Sequence, residues 1–128
     1  MSLPRSLLIA ALACSAAGCA ESTDERPATF EYIVTAVLRP SCGTATCHNS
    51  MTKREGLAFD TIAAANEAFD DNPFDGCVVP GDPCDPNQSQ LIFQLRTTNE
   101  LKRMPLDSPL PDADIELIER WIRDGAVR

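Results

Sequence analysis

With 128 residues, part of which has the character of an export signal, the chain is long enough for a single domain. Its formal net charge of −8 argues against nucleic-acid binding, because contacts with phosphates need Lys and Arg. Five Phe, one Tyr and one Trp are few large side chains for a core. A bound apolar group would therefore contribute much of the interior of so small a domain.

Residues 1–18 are predicted to be a signal peptide. Arg5 provides the positive start, residues 7–13 form the apolar stretch, and residues 15–18 are the small residues before a cleavage site. The apolar stretch is much shorter than the about 20 residues of a membrane-spanning helix. Removing residues 1–18 takes away one Arg and no acid, so the formal charge changes from −8 to −9. We expect an exported protein, in the periplasm or on the outer face of a bacterial membrane.

The sequence Ala-Ala-Gly-Cys at residues 16–19 resembles the box of bacterial lipoproteins, in which the cysteine is acylated. The resemblance implies a lipid anchor on Cys19. The box usually has Leu where this chain has Ala16, Cys14 is a competing acylation site, and cleavage by the ordinary signal peptidase is an alternative. Residues 19–29 are polar and unpatterned, and they are predicted to be a tether that precedes a domain at residues 30–128.

Helices are predicted from apolar residues at helical spacing. Residues 30–38 carry one such stripe, and Pro40 is expected to end this helix. A weaker pattern predicts a second helix within residues 56–69, and Ser89 is expected to cap a third helix through residue 95.

The last helix has the clearest pattern. Asp112 and Asp114 lie at its predicted N-terminal end, where the helix dipole favours carboxylates. A buried stripe follows, and Gly125 stands where a left-handed residue would end the helix. The stripe consists of Ile115, Ile118, Trp121 and Ile122. No segment alternates with the period of a strand, so the chain is predicted to be all-α with long Pro- and Gly-rich loops.

The motif Cys42-x4-Cys47-His48 contains the only histidine of the chain. Two thiols followed at once by an imidazole can attach a haem covalently and ligate its iron. The usual motif has two residues between the cysteines and this one has four, which are small enough to bulge outward. A Cys42–Cys47 disulfide beside an exposed His48 is the alternative, because an exported protein meets oxidising conditions.

Met104 is the candidate for the second iron ligand. It follows His48 by 56 residues and lies between Arg103 and Pro105 in a loop, so it can reach the other face of a haem. Met51 is only three residues after His48 and would be confined to the histidine side. A thioether ligand stabilises ferrous iron and raises the reduction potential. An ordinary core methionine is the alternative for Met104.

Several short motifs occur in one order over residues 30–128. A predicted helix is followed by Pro-Ser-Cys, Cys-His, Gly-Leu, Val-Pro-Gly-Asp-Pro, Arg-Met-Pro and a final helix with Trp-Ile-Arg-Asp-Gly-Ala. This order resembles cytochrome c-like domains of exported myxobacterial and planctomycete proteins.

The resemblance implies one covalent haem c, with thioethers to Cys42 and Cys47, His48 as proximal ligand and Met104 as distal ligand. It also implies a small helical domain in which the first and last helices cross and Trp121 packs near the haem. The expected function is electron transfer with a redox protein partner, with no small-molecule substrate and no enzymatic activity. The widened cysteine gap is the departure from the family pattern.

Cys77 and Cys84 lie in one proline-rich loop, and export favours a disulfide between them. A zinc site that combines Cys77 or Cys84 with Cys42, Cys47 and His48 is an alternative, although the spacing matches no common zinc module. A further alternative is a haem-less interaction module on the cell surface, stapled by two disulfides.

Overall fold

The computed structural model describes residues 24–72, 74 and 76–128. The predicted signal peptide, Cys14, Cys19 and the first part of the predicted tether lie outside these residues. Within them the chain is helical and contains no β-strand, as the sequence pattern predicts.

The first helical segment runs without interruption over residues 30–41. It consists of α1 (Phe30–Ile33), a π-helical turn (Val34–Leu38) and α2 (Arg39–Ser41). The prediction that Pro40 ends the helix before residue 40 is wrong, because Arg39 keeps helical dihedral angles. Arg39 donates its N–H to the carbonyl of Val34, five residues back. This wider turn gives the proline ring room that a regular helix lacks.

Helix α3 (Ile62–Asp71) begins later than the sequence pattern predicts. Thr61 caps it by accepting a hydrogen bond from the N–H of Ala64 at 3.0 Å. Leu57 and Phe59 lie before the helix, in an irregular stretch, and Phe59 is nevertheless buried in the core. Apolar spacing alone could not separate this buried stretch from the helix that follows it.

Helices α4 (Gln90–Arg96) and α5 (Asp112–Arg123) occupy the positions predicted for the last two helices. The whole predicted stripe of α5 is buried. Gly125 has a φ of +93° and ends α5 in the left-handed conformation that glycine adopts without strain. Ser89 directly precedes α4, but its hydroxyl makes no capping hydrogen bond.

Aromatic side chains join α1 to α5 in the core. Phe30 stacks on Trp121 with ring centroids 5.9 Å apart. Phe69 of α3 lies 5.8 Å from Trp121 and 6.0 Å from Phe30. The indole Nε1 donates to the carbonyl of Val127 at 3.0 Å, so the polar atom of the buried tryptophan is satisfied. The first and last helices are thereby held together in the core.

A disulfide joins Cys77 to Cys84, whose Cα atoms are 5.2 Å apart. The loop between them lies on the C-terminal end of α5. Gly81 donates its N–H to the carbonyl of Gly125 at 2.7 Å, and Cys84 donates to the carbonyl of Ile122 at 3.5 Å. The disulfide loop is therefore part of the packing around α5.

Candidate functional site

One cavity of about 270 Å³ is lined by all four residues that the sequence predicts to hold a cofactor. Cys42, Cys47 and His48 come from the loop that follows α2, and Met104 comes from the loop between α4 and α5. Met104 is 56 residues from His48 along the chain, so only the packing of the helices brings them to one cavity.

Cys42 is held at the end of the first helical segment. Its N–H donates to the carbonyl of Leu38 at 2.7 Å, and the N–H of Gly43 donates to the same carbonyl at 3.0 Å. Burial raises the pKa of the Cys42 thiol to about 12. The backbone of Cys42 is therefore anchored, and its thiol is protonated at neutral pH.

The four residues between the cysteines form a closed turn. His48 donates its N–H to the carbonyl of Cys42 at 3.0 Å, and Cys47 donates to the carbonyl of Thr44 at 3.0 Å. Thr44, Ala45 and Thr46 are exposed. The extra length of the motif thus bulges toward solvent, while the backbone bond keeps Cys42 next to His48.

Gly43 is where this turn meets the chain before α3. A Cβ atom at position 43 would lie 2.9 Å from the carbonyl oxygen of Arg39 and 2.9 Å from the backbone nitrogen of Asp60. Such distances are too short for real Cβ contacts. Only glycine permits this approach of two backbones.

Cys47 has a different environment from Cys42. Hydrogen bonds with Thr44 and Thr46 lower the pKa of the Cys47 thiol. Both cysteines are free thiols in the structure. The cavity therefore presents two sulfurs of unequal acidity next to one imidazole.

His48 is buried, with 8 % of its surface exposed, and its ring orientation is set by two contacts. Nδ1 lies 2.9 Å from the carbonyl oxygen of Arg54, and the ring of Phe59 packs edge-on with centroids 5.6 Å apart. A carbonyl can only accept, so in the neutral imidazole Nδ1 carries the proton and Nε2 keeps its lone pair. Metal-binding histidines usually donate their other ring N–H to a carbonyl or carboxylate in this way.

The turn that provides the Arg54 carbonyl has an unusual backbone. Lys53, Glu55 and Gly56 have φ angles of +41°, +54° and +76°. Left-handed backbone at a non-glycine residue costs on the order of 1 kcal/mol and is concentrated at functional sites. Here the strained residues form the turn whose carbonyl orients His48.

Met104 is partly buried at the cavity, and its backbone is anchored. Its N–H donates to the carbonyl of Gln94, on α4, at 2.9 Å, and the N–H of Arg103 donates to the carbonyl of Asn99 at 2.8 Å. Met51, by contrast, is 95 % exposed and does not line the cavity. Of these two methionines, the structure brings Met104 to the predicted site.

The roles of Arg54 and Gln94 were not predicted from the sequence, and Gly43, predicted to be part of the outward bulge, instead packs against the backbone of Asp60. The first two act through backbone carbonyls, which residue type does not encode. Glycine directly after the first cysteine is a signal for a close backbone approach, but the sequence does not say which segment approaches.

Trp121 does not line the cavity. It is separated from His48 by Phe59 and Phe69, whose ring centroids are 5.4 Å apart. Its place is the aromatic core between α1 and α5.

Among residues 24–72, 74 and 76–128, no three His, Cys, Asp or Glu side chains are grouped so that they could hold a metal ion. The zinc alternative needs the free thiol of Cys77 or Cys84, and these two cysteines are bonded to each other. Over the same residues, no helix has the length and apolar character needed to cross a membrane.

Comparison with protein-family models, with curated proteins and with solved structures finds no match for this chain.

Proposed function

We propose that this protein is an exported electron carrier of the mono-haem c-type cytochrome class. The observation that carries the proposal is the single cavity on which Cys42, Cys47, His48 and Met104 converge. These are the two thiols, the imidazole and the thioether that such a site needs, and distant parts of the chain supply them.

The side chains fit a covalently bound haem. Both thiols are free, so each can add across one vinyl group, with the thiol hydrogen transferred to carbon and no atom lost. The Arg54 carbonyl fixes the His48 tautomer, so Nε2 is the nitrogen left for iron. Met104 would supply the second protein ligand to the iron.

A bound haem supplies an iron that gains or loses one electron. His48 and Met104 would set its reduction potential, and the methionine sulfur would favour the ferrous state. The buried side chains of α1 and α5 keep water away from the interior. The protein would exchange electrons with a redox protein partner and would change no small-molecule substrate, so it would not be an enzyme by itself.

The fold under this proposal is a small cytochrome c-like helical domain. The contact of α1 with α5 supports it, because the resemblance implies that the first and last helices cross. Export by residues 1–18 and a lipid anchor on Cys19 would place the domain at a bacterial membrane.

A second candidate function is a haem-less interaction module of the cell surface. The four-residue cysteine gap and the Cys77–Cys84 disulfide favour it. A Cys42–Cys47 disulfide would then form the second staple.

The intact mass of the protein, produced with the cytochrome c maturation machinery, separates the two candidates. Covalent haem adds a whole cofactor to the mass and gives a red product that keeps its colour in a denaturing gel. Two disulfides remove four hydrogens and give a colourless product. A colourless protein with two disulfides, from a host that matures a control cytochrome, would overturn the proposal.

Variants test the assignment of residues. Replacing both Cys42 and Cys47 by Ala should abolish covalent attachment, whereas Met51→Leu, at an exposed position outside the cavity, should leave attachment and spectrum unchanged. Haem attachment that survives loss of both cysteines would remove them from the site.

A further inference from the structure

Two arginines fasten the start of the described chain to α5. Arg26 forms an ion pair with Asp24 at 2.8 Å and a second ion pair with Asp114, in the first turn of α5. Arg120 donates to the carbonyl of Asp24 at 2.8 Å and to the carbonyl of Arg26 at 2.6 Å. We call these four residues the clamp.

The clamp is more than a single surface ion pair, which by itself contributes little. Its two guanidinium groups reach two carboxylates and three backbone carbonyls, those of Asp24, Arg26 and Ala113, and charge-assisted bonds of this kind are the stronger ones. Arg26 holds the pKa of the Asp24 carboxyl at about 2, and both carboxylates raise the pKa of Arg26. The charges of the Asp24–Arg26 pair therefore persist at every physiological pH.

We propose that the clamp shortens the link between the lipid anchor and the domain, so that the domain is held close to the membrane on the side of the clamp. This inference rests on the part of the proposed function that places an acyl group on Cys19. It makes residues 24–26 a fixed part of the domain, although the sequence predicts them as part of a tether.

The difference in reach follows from chain dimensions. Asp24 lies five residues after Cys19, so the distance between them is at most about 18 Å, whatever the conformation of the chain. If the clamp opened as far as the start of α1, the link would extend to Thr29, ten residues after Cys19, with a reach of about 36 Å. The clamp thus halves the largest possible distance between bilayer and domain.

The short link limits which partners the domain can meet. A small domain is about 30 Å across, so its far face stays within about 50 Å of the bilayer surface. The structure points to a partner whose redox centre lies in this layer, such as a second protein bound to the same membrane. A partner fixed farther away would be out of reach.

Neutron reflectometry of the lipidated full-length protein on a supported phosphatidylcholine bilayer measures the distance between the lipid headgroups and the domain. We expect the domain to begin within about 18 Å of the headgroups, and Arg26→Gln to move it outward, with about 36 Å as the upper limit. Arg123→Gln removes the same charge from an exposed position of α5 and should not move the layer. An equal distance for wild type and Arg26→Gln would overturn the proposal.

Cleavage by a glutamate-specific protease at Glu25, inside the clamped segment, tests the clamp without the membrane. Arg26→Gln and Asp114→Asn should each speed this cleavage at least tenfold, with the far-UV circular dichroism of the domain unchanged. Cleavage at the wild-type rate in both variants would overturn the clamp.

Failure of the clamp can be told from failure of the proposed function. Neither measurement needs haem, and the mass of the mature N-terminal peptide reports acylation of Cys19 separately. An unacylated Cys19 would overturn the short link to the membrane, whatever the protease shows.

Discussion

Replacing Gly43 by Ala tests whether the cysteine turn depends on close packing against the chain before α3. The added Cβ would lie 2.9 Å from the Arg39 oxygen, 2.9 Å from the Asp60 nitrogen and 3.0 Å from the Asp60 Cα. All three are backbone atoms, so no flexible side chain can move aside. One of the two backbones would have to shift.

The cost follows from how firmly both backbones are held. Gly43 itself is bonded to Leu38, and Phe59, next to Asp60, donates its N–H to the carbonyl of His48 at 2.7 Å. Overpacking of this kind costs about 1–3 kcal/mol. Because both sides are anchored, we expect a loss of about 2–3 kcal/mol in the free energy of unfolding. For a domain of this size that lowers Tm by roughly 10–20 °C.

Urea unfolding followed by circular dichroism measures this loss, and the yield of covalent haem measures its effect on the site. Gly81→Ala is the matched control, because a Cβ there meets nothing within 4 Å and only its φ of +81° is unfavourable. The control should lose only about 1 kcal/mol. If Gly43→Ala unfolds within about 0.5 kcal/mol of the wild type, the close approach does not constrain the turn.

Three further predictions concern the cavity. Met104→Ala should lower the reduction potential of the haem-loaded protein in a redox titration, because a thioether ligand stabilises ferrous iron. Met51→Leu, the control, should leave the potential unchanged. An unchanged potential in Met104→Ala would show that Met104 is not an iron ligand. In the haem-free protein at pH 8, iodoacetamide should modify Cys47 before Cys42, because the pKa of the Cys42 thiol is raised to about 12 and that of the Cys47 thiol is lowered. Peptide mass spectrometry follows the modification of both cysteines. Equal rates would contradict the difference in acidity between the two thiols. Glu55→Gly should raise the free energy of unfolding in urea by about 1 kcal/mol, because glycine adopts the left-handed backbone of residue 55 without strain. A destabilised variant would show that the Glu55 side chain stabilises the fold by more than the strain costs.

Local patterns in the sequence predicted much of the helical fold. The stripe of α5 and the glycine that ends it lie within a few residues of one another, and the structure has both as predicted. The predicted helix boundaries near Pro40 and Gly56 were wrong, because the spacing of apolar residues does not report the features that set these boundaries. A π-helical turn accommodates the proline, and the core buries Phe59 outside any helix.

The sequence by itself determined the chemistry available to the site: two thiols, one imidazole and a methionine in a proline-bounded loop. Residue type and spacing encode these groups directly. Only the tertiary structure decided that Met104 and His48 line the same cavity, that the carbonyl of Arg54 orients the imidazole, and that Gly43 meets Asp60. It also decided that Arg26 and Arg120 hold residues 24–26 on α5. These contacts join residues far apart in the chain, often through backbone atoms that every residue has, so only the packing of the helices selects them.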